Sequence, residues 1–503
     1  MQKTHSPLPE KFKTTLPPKE IIELMPRQLL QEFGAFIFSA SKNEIKIAAL
    51  DPENSTLKDF IAERFTDKIS WFQATQEDID FILQNYKRDF KEEILALTEI
   101  ETGNTTNIVE LGDLIIEYAL KEKASDIHIE PTRNDVVVRF RIDGILHTMV
   151  VLPKEIHAAL IARFKILSNL RIDEFRLPQD GRIELENKTS TSLRVSTAPT
   201  LYGEKIAMRI LDDTHKDISI EHLGFSKEQA DILLRNAEKP FGMIVASGPT
   251  GSGKTTTLYS LLNLLKKDGI NISTLEDPIE YALDGANQIQ INTRINLSFA
   301  SGLRSLLRQD PDVIMIGEIR DSETALMAAD AALTGHIVFT TVHTNDAPSV
   351  LTRFIEMDVE DFMVVSVVNL VVGQRLVRKV CEHCAKLQKL EPVILKKIEE
   401  RKDIMQILEK MKVSLSDLKD KTFNTGQGCE ACLDTGYLGR VGMFELLELN
   451  KEIHDMVLEH ASPEKIKDTA EASGFKDMTT DGLEKVFAGI TTFEEVLRTT
   501  RNT

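Results

Sequence analysis

Residues Gly248-Pro249-Thr250-Gly251-Ser252-Gly253-Lys254-Thr255 form a complete G-x-x-x-x-G-K-[ST] phosphate-binding loop. Before it runs Met243-Ile244-Val245-Ala246, a short apolar stretch that reads as a buried strand. After it runs Thr256-Thr257-Leu258-Tyr259-Ser260-Leu261-Leu262, which reads as a helix. That order aims main-chain N–H groups and a helix N-terminus at a polyphosphate, and the three glycines let the backbone close around it. Lys254 is expected to reach the β- and γ-phosphates, and the Thr255 hydroxyl to ligate Mg2+. Gly248 to Thr256 are therefore the expected nucleotide-binding residues, with ATP and Mg2+ as the ligands. An ordinary Gly-rich turn is the competing reading, and the strand–loop–helix context disfavours it.

Downstream, short apolar strands recur with helices between them, at Ile272–Leu275, Val313–Ile316 and Ile337–Thr341. Such alternation implies a parallel sheet covered on both faces. The loop then lies at the carboxyl end of a strand, where open α/β sheets bind ligands. An NTPase also needs a carboxylate near the metal or the attacking water. Val313–Ile316 leads into Gly317-Glu318, about 60 residues after the loop, and Glu318 is the candidate general base. Glu276 ends the strand before it and is expected to hold Mg2+ through water or to orient Glu318. His343 follows the last of these strands, with His336 at its start, and is expected to sense the γ-phosphate or couple the site to motion. Singly, each would more often be a structural residue. At one edge of one sheet they argue for an active site.

A chain of 503 residues has room for about three domains. Its hydrophobic content of 42% and charged content of 28% are ordinary for a globular protein. No window approaches about 18 consecutive apolar residues, so no membrane span is expected. The polar start, Met1 to Glu10, lacks the apolar core of a secretory signal, which points to the cytosol. The net charge of −18 argues against gripping DNA along a broad basic channel.

Residues 1–19 read as a disordered arm with Pro7, Pro9, Pro17 and Pro18. Residues 20–90 read as a small α/β domain with a helix near Ile21 to Leu30 and a strand at Ile45, Ile47 and Ala49. Residues 91–107 read as linker. Residues 108–215 read as an α+β, mostly antiparallel domain. It has a helix at Ile108–Ala119, a strand at Asn134–Ile142, a hairpin turn at Asp143-Gly144, and strands at Ser192–Ser196 and Lys205–Leu211. Gln179-Asp180-Gly181-Arg182 reads as a turn. Residues 222–503 hold the nucleotide domain and a helical C-terminal region, 446–503.

The only four cysteines form two C-x2-C pairs, Cys381/Cys384 and Cys429/Cys432, with 44 residues between them. That is the pattern of a closed, structural zinc site. The long spacing requires an insertion to project, and the zinc element is expected at about 375–445. His383 could replace one thiolate. Two redox C-x-x-C sites, or four unrelated thiols, are the alternatives, and a cytosolic setting disfavours disulfides.

These elements resemble the secretion-superfamily hexameric ATPases of type IV pilus assembly and type II secretion. The motifs that carry the resemblance are Gly248–Thr255, Ser273–Glu280, Arg308–Arg320 and Thr334–Asp346, together with Ala124–Pro131 and Pro178–Arg182. The resemblance implies a RecA-like P-loop domain joined through a linker near 212–221 to a PAS-like domain, with a small N-terminal domain in front. It further implies a homohexamer, ATP between the two domains, and Arg194 and Arg209 reaching the phosphates, with Arg182 the runner-up. The implied partners are an inner-membrane platform protein and a cytoplasmic membrane-docking partner. The implied place is the cytoplasm, peripheral to the cytoplasmic membrane, and no nucleic acid is expected. Pilus assembly is the leading reading and type II secretion the alternative. A DNA-translocating RecA-like motor and a non-hydrolysing scaffold are the remaining ones. Some members bind cyclic di-GMP through the N-terminal domain, but the long tandem motifs for that are not seen here.

Overall fold

The computed structural model describes residues 6–9, 12, 17–18, 21, 29–30, 33–41, 44–65, 68–85, 94, 97, 108–185, 191–211 and 219–500. Most of the linker readings at 91–107 and 212–221, and most of the helix near residues 21–30, fall outside them, although residues 220–221 begin the short helix Ile220–Leu223. The chain forms two compact units. One comprises residues 1–118, 131–138 and 149–163, and the other residues 119–130, 139–148 and 164–503.

The N-terminal sheet has four strands, β1 (Ser6–Pro7), β2 (Ala35–Ser41), β3 (Glu44–Ala49) and β4 (Lys68–Gln73), in the order β1-β4-β3-β2. Phe36, Ile37 and Ile47 pack against Leu57, Ile61, Ile79 and Ile82 of helices Ser55–Arg64 and Gln76–Asn85. The expected disordered arm is corrected in part. Ser6–Pro7 pairs parallel with β4, and Leu8 is buried with its N–H donating to the Gln73 carbonyl.

The second sheet holds β5 (Asp126–Pro131), β6 (Asp135–Ile142), β7 (Ile145–Pro153), β8 (Gln179–Glu184), β9 (Ser192–Thr200) and β10 (Gly203–Leu211). Its order is β7-β6-β5-β10-β9-β8. The expected turn at Gln179–Arg182 is instead the start of β8, antiparallel to β9. Ile183, Leu193, Val195, Ile206 and Met208 are buried, while Arg182, Arg194 and Arg209 are exposed. That is the period-2 alternation of a half-buried sheet.

The third sheet has seven strands, β11 (Gly242–Ser247), β12 (Ile272–Glu276), β13 (Ala286–Gln290), β14 (Val313–Ile316), β15 (Ile337–Val342), β16 (Val368–Val380) and β19 (Tyr437–Glu448). Their order is β13-β12-β14-β15-β11-β16-β19. All pairs are parallel except β16–β19. Alternate residues of each strand feed opposite cores, as pleating demands. Met243, Val245, Ile314, Ile316 and Val338 meet the alanine-rich helix Ser322–Leu333 and helix Pro348–Glu356. Ile244, Ala246, Met315 and Phe339 meet helices Lys227–Ala237 and Lys254–Leu265. Every residue of β11 is buried, which only a sheet covered on both faces allows.

The bounds of the zinc element also change. Residues 375–380 and 437–445 belong to the long strands β16 and β19. What projects between them is hairpin β17 (Ala385–Lys389) with β18 (Thr422–Gly426), and helices Pro392–Glu400, Lys402–Lys410 and Leu415–Asp420. Helices Lys451–Leu458, Pro463–Ala472, Met478–Phe487 and Phe493–Thr499 follow. Among the described residues no helix is long and apolar enough to cross a membrane.

Candidate functional site

Strand β11 lies between β15 and β16 and delivers its carboxyl end into the loop 248–253. Gly248 has φ +143°, and a Cβ there would sit 2.5 Å from the Gln374 carbonyl oxygen. Gly253, at φ +88°, caps helix Lys254–Leu265. Both positions therefore require glycine. Gln374, buried in β16, braces the loop from behind. Its Nε2 donates to the Ser252 carbonyl at 2.6 Å, and its Oε1 accepts from the Thr257 hydroxyl at 2.9 Å. Lys254 is 8% exposed, and its Nζ donates to the carbonyls of Gly248 at 2.7 Å and Pro249 at 3.2 Å. Burial pushes its ammonium down to about 8, while the charge of Glu318 pulls the other way.

Glu318 follows β14 at the same sheet edge. Its Oε1 lies 2.6 Å from the Arg320 guanidinium and its Oε2 lies 3.4 Å from His343 Nε2. The backbone beneath is fixed, because the Gly317 N–H donates to the Leu275 carbonyl and its carbonyl accepts from the Thr341 hydroxyl. Glu276 is only 2% exposed. One of its oxygens accepts from the Tyr259 hydroxyl, and the other from Thr274 Oγ1 at 2.5 Å and Gln288 Nε2 at 3.1 Å. This network burdens Glu276 with protein donors and braces β12 against helix Lys254–Leu265. Glu280, four residues on, is half-buried in the same cleft. Burial pushes its carboxyl up, and Arg209 and Arg194 pull it down.

The arginines form a row set by strand register. Arg182 pairs across with Arg194, Arg194 with Arg209, and Arg209 with Asp126. Like charges directly opposite on adjacent strands repel, so this row concentrates positive charge on one face of the sheet. Asp126 takes up part of the charge, accepting from Arg209 Nε at 3.1 Å and standing 3.4 Å from Arg141 Nε. Arg182 donates to the Ser192 hydroxyl at 2.9 Å.

Most of these groups converge on one cleft of about 850 Å3. It is lined by Thr250 to Thr256, Glu276, Glu280, Glu318, His343, Arg194 and Arg209, together with Arg320 and Asp126. Arg182 and His336 do not line it. Sequence reading missed Gln374, and it named Asp126 and Arg320 only within the motifs Ala124–Pro131 and Arg308–Arg320, without a role for either. Gln374 and the adjacent Arg375 did leave a signal, as polar residues inside the apolar run Val368–Val377.

The four cysteines stand apart from this cleft, with their Sγ atoms all within 4.8 Å of one another. Sγ–Sγ distances are 3.9 Å for Cys381–Cys429, 3.8 Å for Cys384–Cys432 and 3.6 Å for Cys429–Cys432. Four thiolates around Zn2+ at about 2.3 Å would stand about 3.8 Å apart, and a disulfide would need about 2.05 Å. The cluster is therefore compatible with zinc, and four protein ligands would leave no open position for catalysis. The replacement Cys381→Ser is expected to lower zinc content by elemental analysis and lower the melting temperature. Its effect on ATP turnover per folded molecule should be less than about three-fold. Wild-type protein purified without metal would remove the zinc assignment.

Residues 101–498 match the type II/IV secretion system protein family, and residues 8–93 match the MshEN domain. The type IV pilus assembly ATPase PilB of Thermus thermophilus is 39% identical over 95% of the chain, which spans 54% of that relative. The type II secretion system protein HxcR of Pseudomonas aeruginosa is 42% identical over 80% of the chain and 79% of its own length. Among solved structures, the Legionella pneumophila ATPase DotB superposes with a TM-score of 0.55 at 22% identity, covering 79% of this chain and 97% of that one. At that identity the likeness establishes the fold.

Proposed function

The chain belongs to the type II/IV secretion system protein family of ATP hydrolases, and on that premise we propose that it is the motor of type IV pilus assembly. One observation carries this reading. Two pilus ATPases, of Thermus thermophilus and Myxococcus xanthus, match 95% and 96% of the chain, more than the 80% to 85% matched by the type II secretion relatives, although the pilus ATPase of Pseudomonas aeruginosa matches 78%. The two machines share their chemistry, so the second reading is type II secretion, supported by the 42% identity of that relative.

The proposed mechanism starts from the cleft. Main-chain N–H groups of Gly248–Thr255, at the N-terminus of helix Lys254–Leu265, hold the phosphates of ATP. Lys254 supplies charge at the β- and γ-phosphates, and Thr255 would hold Mg2+, which would supply further positive charge to the phosphates. Glu318 orients the attacking water and takes its proton, with His343 beside it. Glu276 keeps β12 and the loop helix in place. Arg194 and Arg209 reach the γ-phosphate from the second sheet. Loss of that phosphate weakens the tie between the two sheets, so each hydrolysis event opens the cleft. In a ring of six copies, such openings would turn a platform protein in the cytoplasmic membrane. A second, cytoplasmic partner would hold the ring there through residues 20–90.

The deciding experiment uses source cells that carry chromosomal Lys254→Ala beside their parent. Surface fibres are counted by electron microscopy, and the medium is assayed for secreted proteins. Loss of fibres with normal secretion is expected. Intact fibres with secreted proteins retained inside would assign the chain to type II secretion. No change in either would overturn both.

A further inference from the structure

Behind the reacting edge lies one acid that none of these steps uses. Glu445, in the middle of β19, is 4% exposed. Its Oε1 accepts from the Ala347 N–H at 2.6 Å and its Oε2 accepts from the Met478 N–H at 3.1 Å. Those two donors open two different helices. Ala347 is the N-cap of Pro348–Glu356, and Met478 is the first residue of Met478–Phe487. A carboxylate satisfies two orphan N–H groups at once and sits at the positive end of both helix dipoles. Gly373 faces it across the strand pair, and a Cβ there would meet Oε1 at 2.5 Å. The space for this acid is thus made by a glycine.

What the bond to Ala347 fixes is the segment that carries His343. Arg375 holds the same segment two residues back, donating to the Asn345 carbonyl at 3.2 Å. Asp346 closes the turn by accepting from the Ser349 N–H at 2.9 Å. His343 therefore leaves β15 on a loop pinned at its far end by Glu445 and Arg375, with Glu318 3.4 Å from its ring.

We propose that Glu445 is a positioning residue for ATP hydrolysis, tying the loop that holds His343 against Glu318 to the start of the C-terminal helix Met478–Phe487. The inference rests on the roles proposed above for Glu318 and His343. It makes the C-terminal helices part of the catalytic edge, because a shift of Met478 moves the anchor of the His343 loop.

The groups facing this carboxylate are Arg375 on β16, Asp346 in the loop, Asp477 before the last-named helix and Lys467 on Pro463–Ala472. Burial dominates and pushes the acid up to about 7, with Asp346 and Asp477 adding to the rise and the two N–H donors opposing it. As pH falls through about 7 the carboxylate gains a proton and loses one acceptor, so the tie loosens on the acid side.

The test is steady-state ATP hydrolysis by full-length Glu445→Gln, with ATP affinity measured separately. The amide keeps the shape but can accept from only one of the two N–H groups. The expected result is a kcat about ten-fold lower with ATP affinity within about two-fold of wild type. Wild-type kcat should also fall on the acid side of pH 7, and that limb should be absent in the variant. If Glu445→Gln does not fold, Gly373→Ala displaces the same carboxylate without altering it, and the same loss is expected. Wild-type kcat with an unchanged pH profile in either variant overturns the inference. Glu318→Gln run alongside separates the two readings. Near wild-type turnover there overturns the reacting edge itself, whereas wild-type turnover in the Glu445 or Gly373 variant overturns only the positioning role.

Discussion

Lys254→Ala is expected to weaken ATP binding a hundred-fold or more, about 3 kcal/mol, and to reduce turnover to background. Lys254 is nearly buried, and among the described residues its Nζ donates to the loop carbonyls at 2.7 and 3.2 Å, with the charge of Glu318 acting on it from farther off. Such neutral acceptors compensate a buried ammonium poorly, which is why burial brings it down to about 8. A polyphosphate would supply the missing counter-charge, so much of the binding energy should pass through this group. The loop itself should survive the change, because Gln374 still braces Ser252 and Thr257. Melting within a few degrees of wild type is the accompanying expectation. The position near 8 adds a pH signature. Below it the amine carries its proton and attracts the anion. As pH rises through about 8 the proton leaves, and wild-type affinity should fall, whereas the alanine variant should show no such fall. Calorimetric titration of ATP between about pH 7 and pH 9.5 reads both effects. Wild-type affinity in the variant would sink the assignment of the loop.

The parts legible in sequence were those whose cause is local. The loop's glycines, the apolar runs of β11, β14 and β15, and the paired cysteines each carry their meaning within a dozen residues. The parts that were not legible depend on contacts far along the chain. Gln179-Asp180-Gly181-Arg182 has turn-forming residues, yet pairing with β9 makes it a strand. Leu8 looked like part of a polar arm, but β4 supplies a partner for it. The zinc element was drawn too wide because nothing local marks where β16 and β19 stop being core strands. Gln374 meets Thr257 across 117 residues, and Glu445 meets Ala347 across 98. A polar residue inside an apolar strand reads as an oddity until its distant partner is known.

The same distinction sorts the acids of the cleft. Glu276 ends its strand just as Glu318 nearly does, and sequence reading gave both a catalytic part. In the fold Glu276 accepts from Tyr259, Thr274 and Gln288 and is buried, so its lone pairs are engaged by the protein. Glu318 has one oxygen toward Arg320, which is itself largely exposed, and the other 3.4 Å from His343. Those partners sit at the rim of the cleft and can exchange for water or substrate. Glu276 is better suited to hold structure, and Glu318 to act.

Glu318→Gln should accordingly bind ATP with near-normal affinity and turn it over between about a hundred-fold and ten-thousand-fold more slowly. The amide has nearly the same shape and still accepts from Arg320, so the sheet edge should not collapse. What it cannot do is accept the proton of an attacking water. It also removes the negative charge that now lies between Arg320 and His343. Steady-state phosphate release would report the loss, and equilibrium binding of ATP would show that the site remains formed. Glu276→Gln is the control, because it leaves Glu318 intact while disturbing the network with Tyr259. If Glu318→Gln hydrolyses ATP at close to the wild-type rate, the base lies elsewhere in the cleft. Glu280 is then the next candidate, since burial already holds its carboxyl above the usual range and Arg194 and Arg209 face it.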